Sequence, residues 1–96
     1  MMRYLISYDV NTSTPAGQRR LRRVAKACEA HGVRVQNSVF ECVLEYAQLL
    51  TFREQLGALI DAESDSIRIY PLGKGSGHII HMGIQKAFDV TAPLIL

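Results

Sequence analysis

Arg3-Tyr4-Leu5-Ile6-Ser7-Tyr8-Asp9-Val10 runs straight into Asn11-Thr12-Ser13-Thr14-Pro15, and this junction decides the fold. The first eight residues mix aromatic and β-branched side chains and hold no Gly or Pro, which marks a strand. Tyr4, Ile6, Tyr8 and Val10 share one face; Arg3, Leu5, Ser7 and Asp9 share the other. Neither face is strongly polar at its middle, so both are expected to be covered. The polar run that follows ends in Thr14, a good helix N-cap, and Pro15, whose missing N–H costs nothing at the first helical position. The helix is expected to run to about His31 and to stop at Gly32. Leu21, Val24, Ala25 and Cys28 recur at i, i+3, i+4 and i+7 and form its core stripe.

Working outward, residues 33–44 read as one long strand that can bend into a hairpin around Gln36-Asn37-Ser38. Residues 46–62 carry Leu49, Phe52, Leu56, Leu59 and Ile60 at helical spacing. Residues 66–72 read as a strand, with Pro71 closing it or lying on an edge. Residues 73–77 are a glycine-rich loop and hinge, and residues 78–82 a last short strand. The order suits an α+β, ferredoxin-like βαββαβ sandwich with an appended C-terminal strand. Its domain is expected to span residues 1–77. Residues 78–96 form a C-terminal strand and tail whose apolar end, Pro93-Leu94-Ile95-Leu96, is expected to dock on a partner subunit. Two helices cover one sheet face only, so a face-to-face homodimer is the expected cover for the other.

The 96 residues make one small domain. Hydrophobic residues at 48% and charged residues at 21% exclude wholesale disorder. No apolar run approaches the ~20 residues needed to cross a bilayer. Asp9 falls where a secretory leader would still be apolar, so a cytoplasmic protein is expected. Cys28 and Cys42 are too few for a disulfide framework or a four-cysteine zinc site and are expected as buried thiols. The net charge of +2 is unevenly spread: residues 1–40 carry +5, residues 41–66 carry −5 and residues 67–96 carry +2. Arg19, Arg20, Arg22, Arg23 and Lys26 crowd the first helix and cannot all face a core. Contact with nucleic-acid phosphates is their expected use, against the plainer role of a solvated helix face. No base-reading signature accompanies them. Lys74 lies in a loop without the Walker pattern, so nucleotide binding there is excluded.

Tyr8-Asp9-Val10, the arginine-rich helix ending at Gly32, the block Gln36-Asn37-Ser38-Val39-Phe40-Glu41 and the later Ile67-Arg68-Ile69-Tyr70-Pro71-Leu72 occur in this order along the chain. Together they resemble the CRISPR-associated protein two (Cas-two) family, over nearly the whole chain. The resemblance implies a ferredoxin-like homodimer with a C-terminal strand that can add to the partner's sheet. It also implies one of two roles in spacer acquisition. The first is a metal-dependent endonuclease acting on RNA or DNA. The second is a non-catalytic scaffold that holds double-stranded DNA for the CRISPR integrase (Cas-one).

Asp9 is the only acid among the first 28 residues and sits at a strand end before a polar turn. One carboxylate makes a poor Mg²⁺ site, but two Asp9 side chains meeting across a dimer axis supply the usual number. Asp9 is therefore the expected catalytic and metal-binding residue, with Mg²⁺ or Mn²⁺ as cofactor and Tyr8 and Ser38 framing the site. The competing role for Asp9 is to cap the turn near Thr12. His31, at the helix end, is expected to be structural. His78 and His81 are expected on opposite strand faces, unsuited to a shared metal. A metabolite-binding regulatory domain is a third reading, and the charge segregation argues against it.

Overall fold

Strand β1 (Met2–Asp9) sits at the middle of a five-stranded antiparallel sheet. The computed structural model describes residues 1–73 and 77–84. After β1 come α1 (Pro15–Glu29), β2 (Gly32–Gln36), β3 (Val39–Leu44), α2 (Tyr46–Leu59), β4 (Ser66–Leu72) and β5 (Ile80–Gly83). The sheet order is β2-β3-β1-β4-β5. Its first four strands have the ferredoxin-like arrangement, with β5 added beside β4. Both edges of β1 are filled: Ile6 lies opposite Phe40 on β3 and opposite Ile69 on β4.

The helices cover one sheet face. Tyr4, Ile6 and Tyr8 of β1, Phe40, Cys42 and Leu44 of β3, and Ile67 and Ile69 of β4 are buried there. They form one core with Val24, Ala27 and Cys28 of α1 and Leu49, Phe52 and Leu56 of α2. Each large apolar side chain so buried contributes about 1.5–3 kcal/mol. The other face of β1 is not covered within this chain: Arg3 and Asp9 are exposed, and Leu5 and Ser7 are half-buried. Exposed Val33, Val43 and Leu72 lie on the same open face.

Thr14 caps α1 as expected, its hydroxyl accepting a hydrogen bond from Gly17 N at 3.1 Å, with Pro15 directly behind it. Both helices end earlier than their apolar spacing predicts. α1 stops at Glu29, and Gly32 begins β2 instead of terminating the helix. A side chain at Gly32 would collide with the Glu41 carbonyl and meet Cys42 Sγ at 2.7 Å. The glycine therefore serves the close approach of two strands. α2 stops at Leu59 because residue 61 is recruited elsewhere: the Asp61 N–H donates to the Asp65 carboxylate at 2.8 Å. The long apolar segment of residues 33–44 is the hairpin β2–β3, with an irregularity between Arg34 and Gln36. β5 lies beyond residue 77, the expected domain end, and pairs with β4 of its own chain. Lys74 and the apolar tail, residues 92–96, lie outside the described residues.

Candidate functional site

β1 ends in a polar depression of about 190 Å³, lined by Ser7, Tyr8, Asp9, Ser66, Arg68 and Tyr70. Strand register assembles it. Ser7 lies opposite Arg68, Asp9 opposite Ser66, and Leu5 opposite Tyr70, so all these side chains stand on the open sheet face. Arg68 Nη1 donates to Tyr70 Oη at a long 3.5 Å. Arg3, the other arginine on this face among the described residues, is ion-paired with Glu41 at 3.2 Å, toward the opposite end of β1.

Tyr8 lines this depression, and Ser38 is bonded to it through backbone. The Tyr8 ring lies on the helix-covered face, stacked on Phe40 with centroids 6.1 Å apart. Its hydroxyl donates to the Asn37 carbonyl at 3.4 Å. Burial, and then the neighbouring Cys28, raise that hydroxyl's pKa above the ordinary phenol value. Ser38 contributes its carbonyl, which accepts from Tyr8 N at 3.0 Å. The β2–β3 turn thus clamps the end of β1 from beside.

The turn after Asp9 is held by other groups. Asn11 N donates to Asp65 Oδ1 at 2.9 Å, and Asn11 Oδ1 accepts from Ser13 N at 3.0 Å. Asp65 is fully buried and was not singled out by the sequence pattern. It also takes Arg20 Nε at 2.8 Å and Asp61 N at 2.8 Å. Burial alone would raise its pKa; the Arg20 hydrogen bond and the Asp61 and Asn11 N–H groups outweigh that and hold it below the ordinary carboxylate value. Its backbone carbonyl accepts from Ile84 N at 2.8 Å. One residue therefore ties together the loop after β1, helix α1, the end of α2 and the chain leaving β5.

That pair changes the reading of Arg20. It was expected on nucleic-acid phosphates, but its guanidinium is bound to Asp65 and its side chain is only 20% exposed. Arg19, Arg22, Arg23 and Lys26 are exposed on α1, on the helix layer. Asp9 is on the opposite sheet face, so the basic stripe and the depression look in different directions. Arg34 lies over the Phe40 ring at 5.1 Å and pairs with Glu29 at 3.3 Å.

The remaining reactive groups are placed as structural ones. Cys28 and Cys42 are buried. Burial, with Cys42 next in weight, pushes the Cys28 thiol up to about 12; burial, then Glu41, pushes Cys42 up to about 11. Neither is a thiolate at neutral pH. The His31 ring packs on Phe52 with centroids 4.6 Å apart. His81 Nε2 lies 3.1 Å from the Ile84 carbonyl. Among the described residues no three His, Cys, Asp or Glu side chains gather as a metal cage. No helix among them is long and apolar enough to cross a membrane.

The sheet order and the single helical layer define a ferredoxin-like α+β protein whose open sheet face carries the acid–arginine depression. Residues 2–77 match the sequence model of the family described as CRISPR associated protein Cas2. The chain is 50% identical over 95 residues to the CRISPR-associated endonuclease Cas2 of Halalkalibacterium halodurans, covering 98% of this chain and 99% of that protein. It is 49% identical over 96 residues to the CRISPR-associated endoribonuclease Cas2 of Nitratidesulfovibrio vulgaris, covering 99% and 94%. The crystal structure of Streptococcus pyogenes Cas2 at pH 6.5 superposes with a TM-score of 0.72 at 54% identity, covering 77% of this chain and 89% of that one. The chain belongs to the CRISPR-associated protein Cas2 family.

Proposed function

We propose that this protein is the Cas2-type subunit of CRISPR spacer acquisition, a cytoplasmic homodimer that hydrolyses phosphodiester bonds in RNA or DNA with Mg²⁺ or Mn²⁺. One observation carries the reading. Asp9 stands exposed at the end of the central strand, in a polar depression, while the N–H groups of Asn11 and Ser13 in the adjoining turn are held by Asp65 and Asn11. The names of the relatives, an endonuclease and an endoribonuclease, point the same way.

One chain offers one carboxylate, with the Ser7 and Ser66 hydroxyls beside it. That set fits a hard cation only when a second Asp9 joins it, since Mg²⁺ takes one or two carboxylates and fills its octahedron with water and phosphate oxygens. The open sheet face, with Val43 and Leu72 exposed, is the surface on which a second copy would bring that carboxylate. The bound ion would supply an activated water and neutralise charge on the phosphate. The residues of this chain orient it: β1 is hydrogen-bonded on both sides, so Asp9 projects from a strand end that cannot drift.

The second reading is a scaffold that grips double-stranded DNA for the CRISPR integrase without cutting it. It draws on the exposed cations of α1, which face away from Asp9. Cleavage of end-labelled single-stranded RNA and double-stranded DNA, in Mg²⁺ and Mn²⁺ titrations, separates the two. Wild type that cuts beside an inert Asp9→Asn that binds DNA at least as well supports the nuclease. Two proteins that bind duplex and leave it intact support the scaffold.

A further inference from the structure

The Asp9 depression has a built-in difficulty: its carboxylate repels the phosphodiester it is proposed to act on. The cations expected to hold that phosphate are on α1, and α1 lies across the sheet. Arg34 is also on the helix-covered side, over Phe40. Arg3 is on the correct face but lies toward the far end of β1, beside Glu41. Arg68 is the arginine that shares the depression with Asp9.

The geometry points to Arg68 as the residue that binds the phosphodiester in the Asp9 site, with Tyr70 positioning its guanidinium; this rests on the nuclease reading above. Arg68 is half-buried between β1 and β5, opposite Ser7 on one side and His81 on the other. Flanking strands restrict its stem, so little freedom is lost when a ligand is bound. A guanidinium presents a planar fork that matches two phosphate oxygens. Tyr70 Oη accepts from Arg68 Nη1, which leaves the Tyr70 hydroxyl proton to turn outward as a further donor. The ligand class is a phosphodiester of the nucleic-acid backbone, recognised without reference to base. The basic stripe on α1 then serves a different stretch of nucleic acid from the one that Arg68 holds.

The test uses the full-length protein and the dinucleotide UpU, without divalent metal, so that binding is read apart from cleavage. The Arg68 Nε–Hε resonance is followed by NMR during titration. Arg68 is expected to shift saturably, Arg68→Gln to weaken UpU by about tenfold or more, and Arg68→Lys to recover part of the loss. Asp9→Asn is expected to tighten UpU, because it removes the opposing charge. An Arg68 resonance that stays still, or an Arg68→Gln protein with wild-type melting temperature and unchanged affinity, overturns the assignment. Equal cleavage by wild type and Asp9→Asn would instead overturn the nuclease reading and leave the UpU titration to judge Arg68 by itself.

Discussion

Asp9 and Asp65 lie almost side by side, since Asp9 is opposite Ser66 in the β1–β4 ladder, yet they live under opposite conditions. Asp9 is exposed at a strand end on the open sheet face. Asp65 is fully buried one residue before β4 and accepts from Arg20 and from two backbone N–H groups. A carboxylate with its acceptor sites engaged inside the protein is a structural tie. The other carboxylate lines a polar depression on the open sheet face, where it is exposed. Burial sets the two acids apart: Asp65 ties the fold together from inside, and Asp9 is exposed on the open sheet face.

The largest effect that sharpens this contrast is on activity. Losing an outer-shell partner of a metal ligand commonly costs 10–100-fold, so removing the ligand itself should cost about 100-fold or more. Asp9→Asn is therefore expected to lose cleavage at that level in a labelled-substrate assay, with a thermal unfolding curve that overlays the wild type. A large drop in melting temperature would break the contrast.

Asp65→Ala should do the reverse. It strands the buried N–H groups of Asn11 and Asp61 and leaves Arg20 without its partner, a loss of about 3 kcal/mol. For a domain of this size that lowers the melting temperature by roughly 12–24 °C, read by circular dichroism at one fixed protein concentration. A variant as stable as the wild type would remove the structural role assigned here.

The third effect is on acid stability. The folded pKa of Asp65 lies below its unfolded value, so the unfolded chain takes up the proton first and stability rises with pH in that window. The contribution is complete above the unfolded pKa of about 3.9 and fades as pH falls through the lower folded value. Urea titrations at a series of acidic pH values should show a steeper loss in the wild type than in Asp65→Asn. Parallel curves would count against it.

The smallest effect belongs to the helix layer. Arg23→Gln, exposed on α1, should change stability by less than about 0.5 kcal/mol. It should also reduce the slope of log affinity for duplex DNA against log salt by about one if Arg23 touches a phosphate. Arg20→Gln should differ from it by lowering the melting temperature clearly, since Arg20 is bound to Asp65.

Much of the fold was legible because it rests on local rules. Alternation in β1, the Thr14–Pro15 start of α1 and the apolar spacing of α2 all act within a few residues. Asp9 was legible for a related reason, as a lone acid at the end of an apolar strand. Asp65 was not. Nothing nearby separates it from Asp61 or Glu63, and its partner Arg20 is 45 residues away in sequence. Arg68 was hidden by register: only the pairing of Ser7 with Arg68 places it in the Asp9 depression. Gly32 was misread because helix stop and close strand contact both favour glycine, and the sequence alone does not distinguish them.

The sheet order also has a consequence in time. β1 is made before the other described strands but lies at the centre, and its second neighbour, β4, begins at Ser66. A ribosome adding 5–20 residues per second leaves that edge of β1 unpaired for about 3–11 s after Asp9 is added. During that interval the hairpin β2–β3 can close only one side, and Arg20 waits in water for Asp65. The nascent chain thus carries an open strand edge until β4 is made, and Asp65, the residue just before β4, brings Arg20 its partner as that edge begins to close.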